Sequence, residues 1–333
     1  MSRTPNHPSR RLVLQATGAA VAAPWAFAAN AAGQIAGGKP ITLVVSYAAG
    51  GGADLMARLI APRMAEYLGQ PVLVDNKPGA GGQIAATQVA RATPDGTQLL
   101  VDASSFAVNP SLYPKLPYDV DTAFAPLAVL AQFPNVLVCT PGFEAKSVKD
   151  LIRMAKARPG QIAYASSGNG SAQHLAGALF EDLAGVKLVH VPYRGGGPAM
   201  NDVMAGQVPL FFANVASSLG QIQSGRLRPL AVTSRRRTRS LPDMPTMEEA
   251  GVPAYEVLEW NPVLAPAGID AKSKAALIAA IRKTMGDPEV LGRVRSLSGE
   301  VFPDGPEALT QAFLKAQQLK WGRIIKDRKI TAG

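Results

Sequence analysis

Cysteine is almost absent from this chain. Cys139 is the only one in 333 residues, so no intramolecular disulfide can form. Histidine is nearly as scarce: past the first 32 residues only His174 and His190 remain. A nitrogen- or sulfur-ligated metal centre therefore lacks its donors. Beyond that same N-terminal stretch no run of 18 apolar residues occurs, which excludes an internal spanning helix of ordinary length. Negative charge is in deficit, with 24 Asp and Glu against 34 Lys and Arg. The densest basic run, Arg235-Arg236-Arg237-Thr238-Arg239, has neither interleaved aromatics nor a recognisable module around it. It reads as a solvated loop, and nucleic acid is not an expected partner.

The N-terminus carries a twin-arginine pattern, Ser9-Arg10-Arg11-Leu12-Val13-Leu14-Gln15, followed by an Ala-rich apolar stretch over residues 16–29. Small residues at Ala26-Phe27-Ala28 and Ala29-Asn30-Ala31 offer two cleavage sites. Residues 1–31 thus read as a cleaved export signal rather than a membrane anchor or a basic tail. Its removal takes Arg3, Arg10 and Arg11 with it and lowers the formal charge from +10 to +7.

What remains alternates β-type runs with helical periodicity, the pattern of parallel sheets covered by helices. Three times an apolar run breaks into a small-residue loop that opens a helix. The runs cover residues 41–47, 162–165 and 188–193. The loops are Ala48-Ala49-Gly50-Gly51-Gly52, Ser166-Ser167-Gly168-Asn169-Gly170-Ser171 and Gly195-Gly196-Gly197. Such loops leave backbone N–H groups free, and the helix behind each adds partial positive charge. Three of them facing one cleft can hold an anion without a catalytic group. The expected fold is α/β and two-lobed, each lobe a mainly parallel sheet flanked by helices with the ligand cleft between. Domain 1 is expected over residues 39–139 plus 260–333, and domain 2 over 140–259.

Other chemistries fit less well. Gly50-x-Gly52 lacks the third glycine of a dinucleotide fingerprint, because position 55 is Leu. Asp54 then reads as a helix cap or loop brace. Ser171 and His174 could form a hydrolytic pair, but no nucleophile elbow surrounds Ser171 and no acid is in sight to orient the imidazole. Ser171 reads as a helix N-cap and His190 as a structural strand residue. Arg194 is balanced between a ligand carboxylate and a protein acid. Asn214 and Ser217 follow a further strand and can reach the cleft, and Trp260 reads as cleft-wall packing.

At these residues the chain resembles the substrate-binding proteins of tripartite tricarboxylate transporters, the Bug-type periplasmic receptors. The likeness runs from about residue 39 to residue 329. It rests on residues 45–58, Val74-Asp75-Asn76-Lys77-Pro78-Gly79-Ala80-Gly81-Gly82, Pro94-Asp95-Gly96 and Asn109-Pro110-Ser111-Leu112-Tyr113, then on 168–175, 191–197 and 241–251. The resemblance implies a type II periplasmic-binding fold that closes on a small carboxylate like a flytrap. It implies no cofactor, no turnover, a monomer, and a membrane permease or a sensor protein as partner. Carried onto this sequence, it implies ligand contacts at Ala48, Gly50, Gly51, Gly52 and Asp54, at Ser167, Gly168, Ser171 and His174, and at Gly195 and Asn214. Two positions depart from the family pattern: Ala213 stands where an acid is usual, and Gln83 where a smaller or Asn-type residue is common.

Overall fold

The computed structural model describes residues 34–302 and 307–332. The expected export signal lies outside the described residues. Strand β1 (Ile41–Val45) pairs in parallel with β2 (Val72–Asn76) and with β3 (Gln98–Val101). Helix α1 (Gly52–Leu68) fills the first crossover and α2 (Gln83–Ala90) the second. All five residues of β1 but Thr42 are buried, which a β-branched run covered by helices on both faces requires. A helix absent from the periodicity, α3 (Ser105–Leu112), follows β3. It is buried on most sides and has Pro110 inside it, so it shows no amphipathic stripe.

One strand belongs to both halves of the molecule. Strand β4 (Phe124–Cys139) is 16 residues long. Its first part, up to Pro134, pairs antiparallel with β9 (Leu258–Pro266). From Asn135 onward it pairs antiparallel with β7 (Leu210–Asn214), and from Val136 with β8 (Arg228–Val232). The second sheet is completed by β5 (Ala163–Ser166), parallel to both β6 (Val189–Pro192) and β7. Helices α4 (Val148–Ala157), α5 (Ala172–Ala184), α6 (Gly196–Met204) and α7 (Val215–Gln223) connect its strands. Strands β4 and β9 run antiparallel to every strand they pair with, β10 (Glu300–Val301) included, and the other sheet pairs in both lobes are parallel.

The crossing is clipped by one side chain. Thr233 donates its hydroxyl to the Val257 carbonyl (2.6 Å) and accepts from the Asn135 N–H (2.8 Å), so both crossing segments are tied at a single point. Each lobe has buried apolar clusters on both faces of its sheet. The chain then adds α8 (Ala271–Gly286), α9 (Pro288–Ser296) and α10 (Glu307–Asp327). Helix α10 runs along α3, and its Trp321 and Ile325 enter the same cluster as Val108, Leu112, Leu175 and Phe212. Burying side chains of this size contributes roughly 1.5–3 kcal/mol each, so α10 is a substantial strap across the two lobes.

The arginine run is a surface loop. Arg235 pairs with Glu256 (3.2 Å) and Arg237 with Glu249 (2.9 Å), and all four arginines are exposed. Cys139 is buried and unpaired. No described helix is long and apolar enough to cross a membrane.

Candidate functional site

The first and third small-residue loops meet face to face. The Ala48 N–H donates to the Arg194 carbonyl at 3.2 Å, bonding lobe 1 to lobe 2 through backbone alone. A Cβ added at Gly197 would fall 2.3 Å from the Ala49 carbonyl oxygen, and one at Gly195 would fall 2.8 Å from the Ala48 nitrogen. Gly51 faces the Gly196 nitrogen, 3.5 Å from its own missing Cβ. Side chains here would hold the lobes apart. Asp54 braces the loop from below: its carboxylate, almost wholly buried, accepts from Gly50 N–H (2.9 Å), Arg58 Nε (2.9 Å) and Asn76 Nδ2 (3.0 Å). With three partners it has little capacity left for a ligand. Brace, not ligand contact, is what its geometry supports.

Several polar atoms at or just past the strand ends have no partner. Tyr47 Oη follows β1, Ser104 Oγ follows β3, Asn135 Nδ2 sits at the β4 crossing and Asn214 Nδ2 ends β7. All four are buried without a hydrogen bond among the described residues. Asn214 spends its Oδ1 on capping α7 through the Ala216 N–H (2.8 Å), and its Nδ2 faces Glu259 without a well-formed bond. Leaving a buried donor unmade costs about 1–3 kcal/mol, so each of these atoms is a group that a ligand or an ordered water would satisfy.

Two carboxylates share this interior. Glu259 opens β9 and is 4% exposed. Its Oε2 accepts from Gln173 Nε2 at 2.5 Å, and the same nitrogen reaches Asn135 Oδ1 at 3.1 Å. A Cβ at Gly52 would lie 2.6 Å from Glu259 Oε1 and 2.7 Å from Asn214 Nδ2, so all three crowd the first turn of α1. Burial pushes the Glu259 carboxyl above its usual range, against the opposing pull of Asn214 and Gln173. Asp102 is fully buried and pushed up to about 6 by the same cause. Its Oδ1 accepts from Ser46 Oγ (2.5 Å), the Ala103 N–H (2.7 Å) and Ser105 Oγ (3.2 Å), while Oδ2 has no partner.

The second loop contributes a wall. Ser167 and Gly168 line a cleft cavity of about 140 Å³ together with Tyr47, Gly81, Tyr113 and Arg194. Ser171 caps α5, its Oγ accepting the His174 N–H at 3.2 Å. His174 itself is turned away. Its Nδ1 accepts the Gly170 N–H (3.2 Å), and its ring stacks on His190 at 4.1 Å. Both rings line a separate cavity of about 710 Å³ beside Glu181, Lys187 and Arg328. Its neighbour Gln173, one residue along the helix, is the side chain of α5 that reaches Asn135 and Glu259. Arg194 is exposed at the cleft rim, and Trp260 is core, its ring edge-on to Phe313 at 5.1 Å.

The loops and Asn214 were legible in the sequence. Glu259 lies in Glu259-Trp260-Asn261, one of the two segments, with Ser104-Ser105-Phe106, that the sequence offers for reading the far end of a ligand; Tyr47 Oη, Asn135 and Gln173 have no such assignment, although Asn135 interrupts an apolar strand. That interruption was the available signal.

The stacked imidazoles have a measurable consequence. Burial holds His174 down to about 4 and His190 to about 3, against 6.5 for a free ring. The unfolded chain therefore binds protons at these sites before the native one does. Stability from the neutral pair is complete above about pH 6.5 and is lost as pH falls toward 4. Asp102, with its raised pKa, works in the opposite direction over the window between its unfolded value near 3.8 and about 6. Comparison with His190→Asn isolates the imidazole: between pH 7 and pH 5 the parent should lose about 2 kcal/mol more than the variant in urea melts. Equal losses would contradict the neutral stack.

Comparison with known proteins places this geometry in context. Residues 56–330 match the model of the tripartite tricarboxylate transporter family receptor. A protein from Pseudomonas sp. (strain P51), named for the tcbD-tcbE intergenic region, is 38% identical over 295 residues, covering 88% of each chain. The structure of the periplasmic binding protein BugD superposes with a TM-score of 0.84 at 37% identity, covering 88% of this chain and 98% of that one. R. palustris Rpa4515, solved with adipate, superposes with a TM-score of 0.84 at 35% identity and the same coverage.

Proposed function

Because the chain belongs to the tripartite tricarboxylate transporter receptor family, we propose that it captures a small organic carboxylate between its lobes and hands it to a tripartite-type membrane permease. The family is periplasmic, and the export signal read over residues 1–31 supports that location. The observation that carries the reading is the pair of glycine loops that meet between the lobes, with the cleft cavity of about 140 Å³ lined by Tyr47, Ser167 and Gly168 beside them. Amide and hydroxyl donors beside a helix N-terminus are what a carboxylate needs when no cation is buried with it. The relative solved with adipate supports the same ligand class.

A hydrolase finds no support in the geometry. The Ser171 hydroxyl is engaged by the backbone N–H of His174 rather than by its ring, and the His174 ring faces another cavity. A sensing partner would use the same cleft, and a membrane pull-down separates it from a permease.

The test is a thermal-shift screen against a broad carboxylate panel, with the protein first refolded to remove trapped ligand. A ligand at a hundred times Kd adds about 2.7 kcal/mol, a shift of several degrees. Stabilisation by one chemical class supports the reading. A flat response to every acid overturns the carboxylate claim.

A further inference from the structure

We propose that the arginine-lined cavity beside the interlobe crossing binds a multiply charged phosphate, separately from the carboxylate cleft and independently of the carboxylate reading. The run Arg235-Arg236-Arg237-Thr238-Arg239 is exposed but held in place. Ser234 Oγ donates to the Arg236 carbonyl (2.7 Å), and the Leu241 N–H donates to the Thr238 carbonyl (3.3 Å). The end of the loop is tied to lobe 1: the Ser240 N–H donates to Ser298 Oγ at 3.0 Å, and the two hydroxyls meet at 2.5 Å. Ser298 lies in the turn between α9 and β10. The loop lines a cavity of about 730 Å³ whose other walls include Pro134 of β4, Leu258 of β9 and Arg295 of α9. None of its lining residues belongs to the cleft cavity beside Ser167 and Gly168.

Two observations point to an anion in it. One is charge. All four arginines of the run and Arg295 line the cavity, and its only acidic lining residues are Glu256 and Glu300. Arg235 is paired with Glu256 and Arg237 with Glu249, whereas Arg236, Arg239 and Arg295 take part in no ion pair among the described residues. Like charges gathered round one concavity repel one another, and an anion between them relieves the repulsion. The other is Thr238. It lines the same cavity and is only 8% exposed, and its buried Oγ1 has no hydrogen-bond partner among the described residues. Such a hydroxyl costs about 1–3 kcal/mol, which a solvated charged face does not explain. The donors come from two separate elements, the run and α9. A carboxylate offers two oxygens in one plane, while a phosphate offers more oxygens in several directions, and more charge, to guanidinium forks.

Isothermal titration of the protein with inorganic pyrophosphate at about 0.15 M salt tests this. The parent should bind one equivalent saturably. Arg236→Ala, Arg239→Ala and Arg295→Ala should each weaken binding about tenfold, and Thr238→Val about fivefold. Arg91→Ala removes the same charge from an exposed residue outside the cavity and should leave binding unchanged. The unliganded melting temperature of Thr238→Val should hold or rise, because an unmade buried hydroxyl has been removed, so a loss of affinity there reports a lost contact. If Thr238→Val fails to fold, the exposed arginine variants still decide. No saturable binding by the parent, equal losses in Arg91→Ala and the cavity variants, or a folded Thr238→Val with unchanged affinity would overturn the proposal. Citrate binding as tightly as pyrophosphate would overturn the assignment to phosphate. Cosedimentation with phosphatidylglycerol vesicles, lost in the same variants and without pyrophosphate binding, would give the cavity to a membrane surface and also overturn it. ADP titrated in parallel separates a phosphate carried on a nucleoside, which binds tighter than pyrophosphate, from a free one, and the site stands in either case.

Discussion

Gly197→Ala should leave the protein folded and cost it 10- to 100-fold in ligand affinity. Gly197 lies in the first turn of α6 with ordinary helical backbone, so alanine is locally tolerated and even favoured as a helix former. The added methyl would meet the Ala49 carbonyl oxygen at 2.3 Å, and that oxygen belongs to the backbone of the opposite lobe. Neither side has a flexible end that can yield. The strain is present only when the lobes are together, so it is charged to closure rather than to folding. Overpacking of this kind costs about 1–3 kcal/mol, which converts to the stated range. Calorimetric titration and an unliganded melt, run in parallel, check both halves. Unchanged affinity would mean that the glycine seam is not part of the bound state.

Gly177→Ala has the opposite signature: loss of stability. Gly177 sits mid-helix in α5, where alanine would ordinarily help. Here its Cβ would fall 2.1 Å from the Tyr164 ring. Tyr164 is fully buried, edge-on to Phe212, stacked beside His190, and within hydrogen-bonding reach of the His174 carbonyl (3.4 Å), so it has nowhere to rotate. We expect a loss of about 3 kcal/mol or more in denaturant melts, at the upper end for overpacking. Tyr164→Leu in the same chain should return part of it. A neutral Gly177→Ala would show that lobe 2 repacks more freely than this stack allows.

The contrast between these two glycines shows what a sequence conveys and what it withholds. Gly197 was visible as part of a strand–loop–helix junction, because three glycines after a β-run have few other uses. Gly177 carries no such mark, since its reason is a ring 13 residues away in sequence and adjacent only in the fold. The alternation of strands and helices, and the placing of three loops at strand ends, followed from periodicity and composition. The crossing did not. Phe133-Pro134-Asn135 reads as a break in an apolar run because proline removes a ladder donor. In the structure β4 continues through it and changes partners there, from β9 to β7. The buried polar cluster was the least legible part. Asn135, Gln173 and Glu259 come from three elements and meet only once the lobes are assembled. His174 illustrates the remaining difficulty: one residue along a helix is a 100° rotation, so His174 stacks on His190 while Gln173 turns to Asn135 and Glu259.

The most direct measurement is a crystal structure of the protein with the tightest carboxylate from the thermal-shift panel. The account predicts one ligand between the lobes, its carboxylate accepting from the free donors among Tyr47, Ser104, Asn135 and Asn214, with Ala48 still bonded to Arg194 across the seam. A ligand bound instead in the cavity beneath His174 and His190, or density between the lobes that leaves those four donors unpartnered, would contradict it.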